Sequence, residues 1–335
     1  MALLWMGDEH HGTQQNIQAK ITSFSHISKI NSLEIDSSLV VALLENWRPE
    51  THMFHFSTGE CTITLEDVNM LLGLRVDEKA INGPTEVTND VYMESLGVEP
   101  TEANKNRGSV RIMWLENLYE VLKNNSAPTE EHIVLQAKVY ILLVIVTILF
   151  PDKSQNLLHS SWIPFIGDLE KCGTFSWGSA CLTKLYREMC KATVKDVRSM
   201  SGCVLLLTSW AFTCIPLFAP VSTLQLSYPY AQRWAQRRMN YNANPRFDLQ
   251  GYRNTLDHMQ EKDFIWRPYI QYPVPNLRDN QIRSATTSLI CFYIIEMYQT
   301  NRVKLQFGFE QQIPSSPRCL REHHAMSMRK AQKVH

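Results

Sequence analysis

A mainly α, compact helical domain with a small antiparallel β-sheet, including a hairpin near residues 51–65, is the fold this sequence predicts. Apolar residues recur at helical spacing in several separate stretches. Proline, glycine and capping residues punctuate those stretches, and only one short segment alternates well enough for a ribbon. The chain has 335 residues, 44% of them hydrophobic, enough for one large core or two packed subdomains. Lys+Arg and Asp+Glu both number 33, so net charge offers no global attraction to nucleic acid or anionic lipid.

Residues 1–35 are polar, with His10-His11 and Gln14-Gln15, and read as a flexible tail without a charged-then-apolar leader. The body follows from 36 to 314. In it, Leu39, Leu43, Leu44 and Trp47 share one helical face, and Pro49 ends the helix by excluding Arg48 from the α region. Trp47 is therefore a predicted core anchor. A hairpin follows, with Thr58-Gly59 as its turn. That register opposes Phe56 to Cys61, Phe54 to Ile63 and His52 to Leu65, leaving His55/Thr62 and Met53/Thr64 on a more polar face. Thr64 is placed to cap a helix over Leu65–Leu72, Asp67 to complete a capping box, and Gly73 to end it.

Asn82-Gly83-Pro84 marks a loop, and 85–108 reads as a polar excursion without periodicity. Helical patterns resume at 110–123 and 130–149. The amphipathic pattern at 179–191 places Lys184, Arg187, Glu188 and Lys191 opposite Leu182, Leu185, Tyr186 and Met189. Another helix is predicted over 203–212. Residues 228–275 read as irregular but packed, and 288–298 as strand or buried helix. Asn301 is placed to cap a short helix ending at Gly308. Residues 315–335 form a basic, disordered tail with Arg318, Arg321, Arg329, Lys330 and Lys333.

Two apolar runs raise the question of a membrane. The run 139–150 is too short to cross a bilayer, and Pro216 and Pro220 break the run 203–221, so no membrane span is expected. Eight scattered cysteines without a CxxC pair read as reduced thiols of an intracellular protein.

Chemistry is sparse. Gly7-Asp8-Glu9-His10-His11-Gly12 resembles a metallophosphatase loop with one residue too many, and no partner loop follows. His52 and His55, three apart in a strand, point to opposite faces and cannot easily share an ion. Cys172, Cys181 and Cys190 lack zinc spacing. No GxSxG, GxGxxG or P-loop occurs, and a Cys–His pair built from His159 would have to form in space. No catalytic, metal or cofactor residue is therefore predicted. The best binding candidate is 230–253, where Arg233, Arg237, Arg238, Arg246 and Arg253 interleave with Trp234 and four other aromatics. That composition suits either nucleic-acid stacking and phosphate contact or internal cation–π packing.

Several long segments resemble the plant mobile domain family, the transposon-associated domain of MAIN-like proteins and of the long-form serine/threonine phosphatase homologs of plants. They are ALLENWRPETHMFHFSTGECTITLEDVNMLLGLRVD, ILFPD, FSWGSACLTKLYREMC, YRNTLD, FIWRPY and IIEMYQTNRVKLQFGFEQQIP, in the family's order. The resemblance makes Trp47, Pro49, His52, Phe54, Trp177, Gly178, Trp266 and Pro268 structural signature residues. It implies a mainly helical, non-enzymatic nuclear domain without cofactor, acting in transposable-element silencing, gene-expression control and meristem and genome maintenance. A phosphatase-like nuclear protein is the implied partner. Relatives are also described as aminotransferase-like, so a cryptic transferase is an alternative, although no pyridoxal-phosphate lysine context is recognisable. Arg75 stands where relatives usually have proline, and residues 212–221 lack the charges relatives often carry. With no phosphatase domain fused, a stand-alone copy is expected.

Overall fold

The computed structural model describes residues 24–30, 34–84, 86–88, 90–151, 156–194, 200–222, 226–235, 247–272 and 283–318. The fold is mainly helical with small antiparallel sheets, as predicted. The packed core begins ahead of residue 36. Phe24 and Ile27 are fully buried, and the Phe24 ring lies 5.1 Å from that of Trp177.

Helix α1 (Ser37–Glu45) starts at Asp36, whose carboxylate accepts from the Ser38 and Leu39 amides. It ends before Trp47, earlier than its apolar spacing predicts. The reason is tertiary: Trp47 and Arg48 form strand β1 (Trp47–Arg48), which pairs with β2 (Met53–Phe56). Strand β3 (Gly59–Cys61) completes this antiparallel sheet. The turn is Ser57-Thr58, so Phe54 opposes Cys61 and Phe56 opposes Gly59, a register shifted from the predicted one. The shift is two residues, which preserves each strand's faces, and Phe54, Phe56 and Cys61 still point into the core. Met53, expected on the polar face, is fully buried as well. His52 lies outside the strand with a left-handed φ of 57°.

Helix α2 (Leu65–Leu72) has the predicted ends: a Thr64/Asp67 capping box and Gly73 at φ 73°. Within the supposedly aperiodic excursion sits α3 (Val91–Leu96). Strand β4 (Ser109–Arg111) pairs with β5 (Leu157–His159) and brackets α4 (Ile112–Lys123) and α5 (Glu130–Val144). The latter runs on through a π-turn at Ile145–Leu149. The whole segment Glu130–Leu149 is 20 residues, long and apolar enough to cross a membrane by length and composition. However, 72% of its apolar window is buried, as in a core helix. After α6 (Leu169–Cys172) come α7 (Trp177–Ala192) and α8 (Val204–Cys214). Helix α9 (Leu249–His258), in the region read as irregular, is capped by Asp248 and packs on α1. The ambiguous 288–298 is a hairpin of β6 (Thr287–Cys291) and β7 (Ile294–Tyr298). Two short 3-10 turns, Thr300–Arg302 and Lys304–Phe307, lead to Gly308. The seven cysteines among the described residues are unbridged and buried.

Helix α7 is the centre of the molecule. Its apolar face meets the first sheet. Trp47 lies 5.3 Å from Tyr186 and 4.9 Å from Phe54, which stacks at 4.9 Å on Trp210 of α8. Its polar face is covered by β6 and β7, so Arg187 and Glu188 are only 3% and 4% exposed. Each charge there has a partner. Glu188 takes Lys184 and Lys191, whose attraction outweighs the upward push of burial and holds its carboxyl below the usual range. Arg187 bonds Glu296 of β7 through Nε. Glu296 Oε2 also lies 3.1 Å from His52 Nε2, while His52 Nδ1 donates to the Met297 carbonyl at 2.8 Å. Three distant signature segments therefore meet at one buried charge cluster.

Gly178 explains a further signature. Its amide donates to the Arg75 carbonyl at 2.9 Å, and a Cβ would meet that oxygen at 2.8 Å and Val76 at 2.7 Å. Glycine lets the start of α7 press against the backbone leaving α2.

Removing one member of the Arg187–Glu296 pair leaves an uncompensated buried charge. Arg187→Met and Glu296→Leu are each expected to lower stability by about 3–5 kcal/mol in urea unfolding. The double variant should lose clearly less than the sum; strict additivity would show that the contact carries no coupling.

Candidate functional site: a two-lobed groove around residues 264–272

The segment after α9 is held by backbone and side-chain contacts at both ends. The Ile265 amide donates to the Cys214 carbonyl at the end of α8 at 2.8 Å, and the Tyr269 hydroxyl donates to Asp67 Oδ1 at 3.0 Å. Between these anchors, Phe264 and Trp266 pack ring to ring at 4.7 Å. The segment divides a surface groove into two cavities.

The smaller cavity, about 310 Å³, lies against the start of α2, and Glu66, Asp67, Arg267 and Arg283 line it. Asp67 is fully buried. It accepts from the Thr64 amide and hydroxyl at 2.7 Å each, and from Tyr269. Burial outweighs these bonds and pushes its carboxyl up to about 7. Burial also raises Glu66, against the opposing pull of Arg283 and Arg267. Arg283 is 2% exposed and reaches Glu66 Oε1 at 3.3 Å. Perturbed carboxyls in a cleft mark a candidate site, but here they serve as cap and counter-ion.

The larger cavity, about 590 Å³, lies on the other side, toward Tyr230, Arg233 and Trp234. Arg233 sits over the Trp234 ring at 4.8 Å, and Tyr230 lies 4.9 Å from Tyr272. Arg267 and Pro268 line both cavities.

The predicted Arg/aromatic segment is thus only partly assembled here. Arg233 and Trp234 line the groove. Arg253, on α9, instead faces α1 and forms a two-pronged pair with Glu45. Arg237, Arg238 and Arg246 lie outside the described residues, as do the tail cations Arg321, Arg329, Lys330 and Lys333. Of the signature residues, Trp266 and Pro268 line the groove. Trp47, Phe54 and Trp177 are core, Trp47 donating to Cys190 Sγ at 3.3 Å and Trp177 to the Cys172 carbonyl at 2.9 Å. Pro49 lies in the turn between β1 and β2.

The histidines behave as structural groups. His52 joins the buried cluster, and His55 Nε2 lies 3.3 Å from Glu60 on the surface side of the sheet. No group of three or more His, Cys, Asp or Glu able to hold a metal occurs among the described residues. His159 and Cys291 do line one cavity, about 220 Å³. Burial pushes the Cys291 thiol up to about 12, and His159 Nδ1 lies 2.8 Å from Ser161 Oγ, so the reactive ion pair is not set up.

Sequence reasoning missed Asp67 as a cleft residue, Arg267 as its dividing cation, and the Arg187–Glu296 pair. One signal was available: Glu296 is a lone acid inside an apolar, strand-length run, which asks for a buried partner.

The plant mobile domain model matches residues 23–335. Among curated proteins of Arabidopsis thaliana, the chain is 32% identical to Serine/threonine-protein phosphatase 7 long form homolog over 86% of its length. It is 30% identical to Protein MAIN-LIKE 2 over 87%, and 30% identical to Protein MAINTENANCE OF MERISTEMS over 90%. The matched stretch spans 23%, 44% and 63% of those proteins, respectively, so the chain covers less than two thirds of each. No solved structure matches it.

Asp67 gives the groove a pH signature. Its folded pKa is raised, so the native state holds the proton more tightly than the unfolded chain. Its contribution is full below about pH 4 and is lost as pH rises toward and through 7, by on the order of 4 kcal/mol. Asp67→Asn is therefore expected to lose less stability than the parent between pH 5 and 8 in urea titrations. Equal pH slopes would contradict the assignment.

Proposed function

We propose, since this chain belongs to the plant mobile domain family, that it acts as a non-enzymatic interaction module in the nucleus. It would serve transposable-element silencing, gene-expression control and meristem maintenance through protein partners. The observation that carries this reading is the groove itself. Its aromatic and proline walls form a contact surface, while Asp67 and Arg283 are held in internal bonds rather than poised for a reaction. A phosphatase-like nuclear protein is the partner class proposed, carried over from the family resemblance.

A second reading is single-stranded nucleic acid on the larger cavity. Arg233, Trp234 and Tyr230 meeting there favour it, and the outward pairing of Arg253 with Glu45 weakens it.

A nuclease-treated pull-down of the tagged full chain from plant nuclei separates the two. A phosphatase-like protein retained after nuclease is the expected result. Loss of all bound protein on nuclease treatment favours the second reading. A fluorescent fusion confined to the cytosol, with no retained partner, overturns the first.

A further inference from the structure

We propose that the ridge between the two cavities is a docking site for a peptide segment carrying one acidic residue beside apolar side chains, with the Arg267 guanidinium taking the carboxylate. The proposal rests on the interaction-module reading and deepens it by naming the partner's chemistry.

Charge complementarity is the first support. Arg267 is exposed and forms no salt bridge among the described residues. The described lining of the larger cavity includes two arginines and no acid. A carboxylate reaching Arg267 from the larger cavity therefore meets an opposite charge, while Glu66 lies on the smaller-cavity side.

The second support is the apolar surface around that cation. Ile265, Ile270 and Phe309 are 41%, 65% and 58% exposed. Ile265 and Ile270 line the larger cavity and Phe309 the smaller, with Trp266 and Tyr272 beside them. Arginine among tyrosine and tryptophan is the composition of interface hot spots. Exposed apolar side chains clustered around one cation mark a protein contact more than a free face.

The third support is preorganisation. The Arg267 guanidinium lies over Gly308, where a Cβ would sit 2.6 Å from it. Gly308 is in the left-handed region at φ 78°. Two local features thus leave room for the side chain at the ridge, which reduces the ordering cost of binding.

Peptide is favoured over nucleic acid by arithmetic. A single strand brings a phosphate with every nucleotide and needs a run of cations. This ridge offers one exposed arginine that forms no salt bridge among the described residues, Arg233 is stacked on Trp234, and Glu66, which feels the Arg267 charge, opens on the smaller cavity.

The test is fluorescence anisotropy on the full chain with a panel of labelled peptides of about twelve residues. Each carries one Asp or Glu among Pro, Leu and Phe, with a matched Asn or Gln control. Acidic members are expected to bind about tenfold more tightly than their controls, and more weakly as salt rises. Arg267→Glu should remove that preference, whereas the remote charge reversal Lys171→Glu, on exposed α6, should keep it. Circular dichroism confirms folding of both variants. No preference for acid, an unchanged Arg267→Glu, or binding of an oligothymidylate in place of the peptides each overturns the proposal. If Arg267→Glu still retains the nuclease-resistant partner, the ridge assignment falls while the interaction-module reading stands.

Discussion

The contact on which most of this structure depends is the buried bond between Arg187 and Glu296. Taking two charges out of water is costly, and that cost is offset only if each finds its partner in good geometry. Helix α7 cannot bury its polar face without the hairpin, and β7 cannot bury a glutamate without the helix. His52 adds a third constraint, donating to the Met297 carbonyl and lying 3.1 Å from Glu296. A neighbouring polar lattice repeats the pattern. The Gln306 side chain pairs with both backbone groups of Thr62, Tyr186 donates to the Ile63 carbonyl, and Gln299 reaches the Thr51 carbonyl. Apolar packing supplies the bulk of the driving force, while these bonds select one register of the hairpin against the first sheet.

The groove inherits its shape from that register. Tyr298, at the end of β7, is fully buried and donates to the Arg283 carbonyl at 2.6 Å. It also accepts from the Leu65 amide at 3.1 Å. One hydroxyl thus ties the backbone of Arg283 to the first residue of α2, two positions before Asp67. Asp67 in turn receives Tyr269 and fixes the segment that divides the groove. The surface proposed to meet partners is therefore built on polar bonds inside the core, and the signature segments of the sequence are the ones that make them.

What was legible in the sequence was local. The ends of α2 follow from Thr64, Asp67 and Gly73, whose bonds span only a few residues. Trp47 and Phe54 could be placed in the core on helical spacing and strand alternation. The illegible parts were those set by distant chain. Trp47 left its helical pattern because a strand partner was available. The hairpin turn moved by one position because packing against α8 and residues 264–266 prefers Phe54 opposite Cys61. Arg187 could be placed on the polar face of its helix, but the strand that covers that face lies far away in sequence. The groove was invisible for the same reason: its walls come from residues near 66, 230, 267, 283 and 307, and only the fold brings them together.

The separations in the charge cluster have a consequence for how the chain is made. Arg187 and Glu296 lie 109 residues apart, and His52 and the Met297 carbonyl 245. Synthesis runs from the N-terminus, so α7 leaves the ribosome long before β7 exists. During that interval its charged face lacks the cover that β6 and β7 give it in the folded domain. Domains fold as units, and contacts this distant form late. The nascent domain therefore completes its core only after the β6–β7 hairpin has emerged and supplied the missing acid.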